Sequence, residues 1–202
     1  MWVRGAAIRP VPPYAVVSRA VLDSVENALG AEGDEADHEI ETWFEKFEET
    51  QPAVAAHIHR VLSRPLDETA LALGYFLSVG VWLAFDRAFR GKLAPVTEDA
   101  LKAAEAALAL EEELRSTHTE EPLELDDVMA IEQPAILAFL HEHVDAALDA
   151  GLGANGVSGL EGGEVDVDDV HLVYRAVLLE TLALSHAVIA PDGALRPEEL
   201  LA

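Results

Sequence analysis

The apolar residues of this 202-residue chain recur at intervals of three and four, the spacing of one face of an α-helix. In residues 34–49, Ile40, Trp43, Phe44 and Phe47 form a single apolar stripe on an otherwise charged segment. The alternation of apolar and polar residues that marks a half-buried strand is not sustained anywhere along the sequence. The pattern therefore predicts an all-α protein, a multi-helix bundle of about seven helices.

Proline, aspartate and glycine indicate where these helices begin and end, because they suit the first turn, the amino-terminal cap and the position after the last turn. On this basis we expect helices at residues 13–29, 34–49, 52–63, 67–90, 95–115 and 134–150, a short helical turn at 125–132, and a last helix that runs to residue 190 from a cap at Asp166 or Asp168. Residues 151–165 hold six of the thirteen glycines and are expected to form a loop. In the two long apolar segments, the side chains expected to be buried and to join the halves are Trp82, Phe85, Leu178 and Leu182.

Two stretches of the sequence match each other and indicate an internal repeat. TQPAVAAHIHRVL at residues 50–62 aligns with EQPAILAFLHEHV at residues 132–144, an offset of 82. Farther on, at an offset of 99, Asp67, Leu73, Tyr75 and Ala84 align with Asp166, Leu172, Tyr174 and Ala183. We predict one helical domain over residues 1–202, with pseudo-symmetric helix-pair repeats at 34–118 and 119–202. The alternative is a chance match, since leucine and alanine fill the core positions of any two amphipathic helices.

Acidic residues dominate the charge: 38 Asp and Glu stand against 13 Lys and Arg, which gives a net charge of −25. Such a chain repels phosphates and anionic lipids, so neither nucleic acid nor a membrane is predicted as a partner. The longest uncharged stretch, residues 69–85, is at the lower limit of a membrane span and is interpreted as a buried central helix. With no cysteine and no amino-terminal targeting run, the protein is expected to be cytoplasmic.

Histidine and glutamate at helical spacing raise the hypothesis of a metal site. Glu35 and His38 form an E-x-x-H motif on one face of a helix, but di-iron bundles need this motif twice and the sequence has it once. His59 and His141 occupy matching positions of the predicted repeats and could face each other across a pseudo-twofold axis. The simpler alternative is that these are ordinary solvated or core-edge histidines. No cofactor and no catalytic residue is predicted.

Five basic residues cluster near the ends of two predicted helices: Arg60, Arg64, Arg87, Arg90 and Lys92. Cations are favourable at the carboxyl ends of helices, where they complement the helix dipole. They would face either an anionic ligand or the chain's own acidic segments, residues 31–50 or 111–127. We favour the internal pairing, because those acids would otherwise lack a counter-charge.

These features predict a protein–protein interaction or regulatory module; its acidity indicates either a basic protein partner or, as the simpler alternative, a solubility feature of the whole proteome, and a homodimer is also open. The alternative is a small-molecule or metal-binding helical protein whose site lies between the two helix-pair repeats, because bundles build sites from facing helices. A third hypothesis, imitation of nucleic acid, requires acidic side chains in regular surface rows. G-x-S-x-G, a phosphate loop and H-E-x-x-H are absent from the sequence, so an enzyme is the less expected class.

Overall fold

The computed structural model describes residues 10–31, 34–116, 132–154 and 165–191. Those ranges contain seven α-helices and no β-strand, which confirms the predicted all-α bundle. The helices are α1 (Arg19–Leu29), α2 (Asp34–Thr50), α3 (Pro52–Leu62), α4 (Glu68–Ala88), α5 (Glu98–Ser116), α6 (Pro134–Ala154) and α7 (Val167–Ala187). A 3-10 turn at Pro13–Ala15 precedes α1.

The predicted helix starts are accurate at Pro52, at Pro134 and at three caps, whereas Pro13 starts only a 3-10 turn. Asp67 caps α4 by accepting a hydrogen bond from the amide of Ala70, and Asp166 caps α7 by accepting one from Asp168. Thr97 accepts from Ala100 in the same way at the start of α5. Each side chain satisfies an amide that the first turn of a helix leaves without an intrahelical partner.

Several predicted ends are wrong, and each has a local cause. The helix expected over residues 13–29 is interrupted at Val16–Val17, because the Val17 amide donates to the side chain of Gln133 and not to its own helix. The last helix stops at Ala187, where the chain turns into a short antiparallel bridge between Leu93 and Val188. In contrast, α6 continues to Ala154, into the predicted glycine loop. Residues 125–131 and 155–164 lie outside the described residues.

The centre of the fold is the pair α4 and α7, which lie side by side and run in the same direction. At their amino ends, Asp67 Oδ2 accepts the Asp166 amide at 3.0 Å, and Asp169 Oδ2 accepts the Asp67 amide at 2.9 Å. After their carboxyl ends, the Ala94 amide donates to Ala187 O at 3.0 Å and the Ile189 amide donates to Lys92 O at 2.7 Å. The two helices are therefore joined at both ends.

The side chains predicted to hold the halves together are buried in this pair. Trp82 and Phe85 are fully buried, and Leu178 and Leu182 are each 2% exposed. The helices approach closely at Gly74, where a Cβ atom would overlap Leu62 Cδ2 and lie 3.2 Å from Val173 Cγ1. α4 also has the length and hydropathy of a membrane-spanning helix, but 67% of that window is buried inside the protein.

Five further helices surround this pair. α1 packs against α4 and α6, and α5 packs against α7 and α3. α3 lies on α7, α6 lies on α4, and α2 covers α3 and α4. The core is consequently one continuous cluster of buried residues that reaches from Val11 near the amino end to Val188 after α7.

The chain's only two glutamines occupy corresponding places in this arrangement, each directly before the proline that starts a helix. Gln51 is 1% exposed and Gln133 is fully buried. The amide group of Gln51 donates to Ala94 O at 3.1 Å, and its oxygen accepts the Val96 amide at 2.8 Å. Gln51 therefore hydrogen-bonds to the backbone of the extended segment before α5, in the way that a neighbouring β-strand would.

Gln133 makes the same pair of bonds to a different segment. Its amide group donates to Ala15 O at 2.8 Å and its oxygen accepts the Val17 amide at 3.0 Å. The bounds of α4 and α7 also differ by the same 99 residues at both ends. These are correspondences of register and bonding; the internal repeat itself stays a prediction, and superposition of residues 52–90 on 134–190 is its test.

We expect the substitution Gln133→Met to lower the free energy of unfolding by about 2–4 kcal/mol, because it leaves a buried amide and a buried carbonyl without partners. Urea denaturation measures this directly. Gln51→Met is the matched variant and should cost a similar amount, since Gln51 makes the same two kinds of bond. A loss below about 1 kcal/mol in both variants would show that water or a shifted backbone satisfies these groups equally well.

Candidate functional site

A surface cleft of about 410 Å³ lies between α2 and the carboxyl-terminal half of α4. The cleft forms because α2 packs on α4 only through its apolar stripe. Between ring centres, Phe47 lies 5.7 Å from Trp82 and Phe44 lies 5.4 Å from Tyr75. The residues at the edge of that contact line the cleft: Trp43, Lys46, Leu83, Asp86, Arg87, Arg90 and Gly91.

Three of these lining residues are cations, and two of them have fixed positions. Lys46 Nζ lies 2.7 Å from Asp86 Oδ2 and 5.5 Å from the ring centre of Trp82. Arg87 Nη1 donates to the carbonyl oxygen of Ser24 at 2.8 Å and to its hydroxyl at 3.0 Å. The Arg87 guanidinium also lies over Trp43, 5.6 Å from the ring centre, at a distance typical of a cation–π contact.

The predicted internal pairing of the basic cluster is not seen. Within the described part of the chain, none of the five residues Arg60, Arg64, Arg87, Arg90 and Lys92 forms an ion pair with a carboxylate of α2. The ion pair between these two helices has the opposite polarity: its cation, Lys46, is on α2 and its carboxylate, Asp86, is on α4. The physical reason is that α2 turns its apolar stripe toward α4 and its acids toward solvent. The side chains of residues 111–127 lie outside the described residues.

The four candidate metal ligands have separate surroundings. His38 is 82% exposed and lies 3.7 Å from Glu41. His59 Nε2 lies 2.7 Å from Glu48 Oε1, whereas His141 Nε2 lies 2.9 Å from the hydroxyl of Tyr174. The side chain of Glu35 is outside the described residues. Among the residues that are described, no group of three or more His, Asp or Glu side chains could hold a metal ion, and the metal site stays a hypothesis.

Glu180, which is not among the residues predicted to form a site, lies in the middle of α7 and is fully buried. Neither carboxyl oxygen has a hydrogen bond of good geometry to any described residue, and neither do the buried Ser78 Oγ and Trp82 Nε1. Burial raises the pKa of Glu180 well above its ordinary value of 4.5, and the nearby Ser78 hydroxyl opposes this rise only in part. The signal was present in the sequence as the only charged residue in the apolar run 176–184.

A stripe of exposed carboxylates runs along the outside of α2. Glu45 follows Glu41 by four residues, Glu48 and Glu49 follow Glu45 by three and four, and all four are exposed. Glu48 contacts His59, but Glu45 and Glu49 pair with no cation among the described residues. We call these four residues the α2 acidic stripe. The helix repeat places these four residues on a different side of α2 from the cleft residues Trp43 and Lys46, whereas the exposed Glu39 lies on the cleft side.

Comparison of the chain with protein-family models, with characterised proteins and with solved structures finds no match. The features above are therefore the basis for any statement about function.

We expect Glu180 to make the protein less stable as the pH rises. Between the pKa of Glu180 in the unfolded chain and its raised pKa in the folded protein, the folded state holds a proton that the unfolded state has lost. The free energy of unfolding therefore falls across this range by up to about 1.4 kcal/mol per pH unit. Thermal midpoints of the wild type and of Glu180→Gln should therefore diverge between pH 5 and pH 8, with the wild type falling relative to the variant. The exposed Glu142→Gln variant is the control and should follow the wild type. A constant difference between wild type and Glu180→Gln would contradict the assignment.

Proposed function

We propose that this protein is an interaction or regulatory module whose α2 acidic stripe binds a basic segment of a partner protein. The observation that carries the proposal is the exposure of these four carboxylates, of which Glu45 and Glu49 form no ion pair among the described residues. α2 is attached to the bundle by its apolar side, where Phe47 is 2% exposed, and its acidic side is left to solvent.

Charge complementarity supports a basic partner. The net charge of −25 repels itself, and a cationic partner relieves that repulsion as it binds. A charged surface of this kind mainly raises the association rate with a basic partner and disfavours acidic partners. Salt screens the charges and so weakens the attraction. The α2 acidic stripe supplies a rigid row of carboxylates, because the helix backbone fixes their spacing.

The alternative function, a small-molecule or metal site between the two helix pairs, has less support. The facing sides of α4 and α7 are closely packed, since a Cβ at Gly74 of α4 would lie 3.2 Å from Val173 Cγ1 of α7. The cleft lies between α2 and α4 instead. A homodimer stays a prediction that light scattering tests.

Binding of a labelled decalysine peptide, followed by fluorescence anisotropy, tests the proposal. The triple variant Glu41→Gln, Glu45→Gln, Glu49→Gln should weaken binding about tenfold more than a matched triple variant on α6. That control, Glu142→Gln, Asp145→Asn, Asp149→Asn, removes the same charge from three exposed positions.

Two results would count against the proposal. Equal losses in both triple variants would mean that the field of the whole molecule attracts the peptide and that α2 has no special role. Binding that is as strong in about 1 M sodium chloride as in about 0.1 M would mean that electrostatic attraction does not drive it, because the Debye length falls from about 10 Å to about 3 Å.

A further inference from the structure

The cleft between α2 and α4 combines features that a packing role alone does not require. Its lining includes three cations and one carboxylate, on a molecule in which acids outnumber bases about three to one. Trp43 and Leu83 add apolar walls to the same cleft. Its volume of about 410 Å³ is within the range of about 300–1,000 Å³ that is usual for small-ligand sites.

We propose that this cleft binds a small anion, with a phosphate or carboxylate group on the arginines and a planar apolar group against Trp43. The site is separate from the α2 acidic stripe, which lies on a different side of the helix. The proposal therefore adds a ligand site to the proposed interaction surface and does not depend on it.

The arginines have donors left for such a ligand. Lys46 is paired with Asp86, so its charge is already matched. Arg87 uses one terminal nitrogen for Ser24 and keeps the remaining donors of its guanidinium, which the Trp43 ring holds in place. Arg90 is exposed and forms no ion pair among the described residues. Guanidinium groups bind phosphate and carboxylate through two parallel hydrogen bonds, so these two side chains suit either anion.

The helix dipole accounts for only part of this arrangement. Arg87 lies in the last turn of α4, where a cation is favourable without any ligand. Arg90 follows the end of the helix at Ala88, and Gly91 beside it has a left-handed backbone with φ of 72°. No atom lies within 4 Å of the place that a Cβ of Gly91 would occupy. This end of the cleft is therefore open to an entering molecule.

The surrounding charge favours a small anion over a polyanion. Attraction by the cleft and repulsion by the rest of the surface both decay over about 8 Å at physiological ionic strength. A compact anion in the cleft feels mainly Arg87 and Arg90. A nucleic acid or an acidic protein would extend over the carboxylates of neighbouring helices and be repelled.

Tryptophan fluorescence tests the proposal, because Trp43 lines the cleft and reports on its occupation. We would titrate the protein with phenyl phosphate and, separately, with phthalate. Saturable quenching is expected with at least one probe, and the preferred probe tells whether the anionic group is a phosphate or a carboxylate. The titration uses a Trp2→Phe background, in which Trp43→Phe should lose the signal because the remaining Trp82 is fully buried.

The matched pair of variants is Arg90→Gln and Arg64→Gln, which remove one exposed arginine inside and outside the cleft. Arg90→Gln should weaken binding at least about tenfold, whereas Arg64→Gln should change it less than about twofold. Circular dichroism confirms that both variants fold. Equal effects of the two substitutions would overturn the proposal. So would the absence of saturable quenching up to about 10 mM of either probe, a concentration at which even a weak millimolar site would be occupied.

Discussion

The fold depends on the parallel packing of α4 and α7, two helices of 21 residues each that are joined at both ends. At one end, each amino terminus is held by a carboxylate of the other helix. At the other end, the chains that leave the helices form backbone hydrogen bonds. This pair brings together residues about 100 positions apart, and every other described helix packs on it directly or through α3 or α6. A side chain at Gly74 would require Leu62 and Val173 to shift.

The burial of α4 and α7 determines what remains for the surface. Because the two central helices supply nearly half of the buried apolar residues, α2 needs only one apolar stripe to attach and leaves its other sides at the surface. The α2 acidic stripe faces outward, and Lys46 with the arginines of α4 forms the cleft on a different side. The two proposals, a basic protein partner and a small anionic ligand, follow from this separation. Buried polar groups such as Gln133 and Glu180 serve the interior and reach neither surface.

The sequence predicts the local features of this structure well and the long-range ones poorly. Periodicity, proline and the caps Asp67 and Asp166 define the helices, because these signals act within a few residues. The break at Val16–Val17 could not be predicted, since Gln133, which causes it, is 116 residues away. The cleft was foreseen only as a basic cluster at the end of α4, because Lys46 and Trp43 reach it from another helix. The sides of α2 on which the cleft and the α2 acidic stripe lie likewise depend on how that helix is rotated against its neighbours.

Native-state hydrogen exchange tests most directly whether α4 and α7 form one cooperative unit. The slowest amides of both helices should exchange with the same opening free energy, equal to that of global unfolding. Amides of α2 should exchange faster, because that helix is attached by one face. If the slowest amides of α4 and α7 differ by more than about tenfold in protection, which corresponds to about 1.4 kcal/mol, the two halves open separately and the central pair does not hold the fold together.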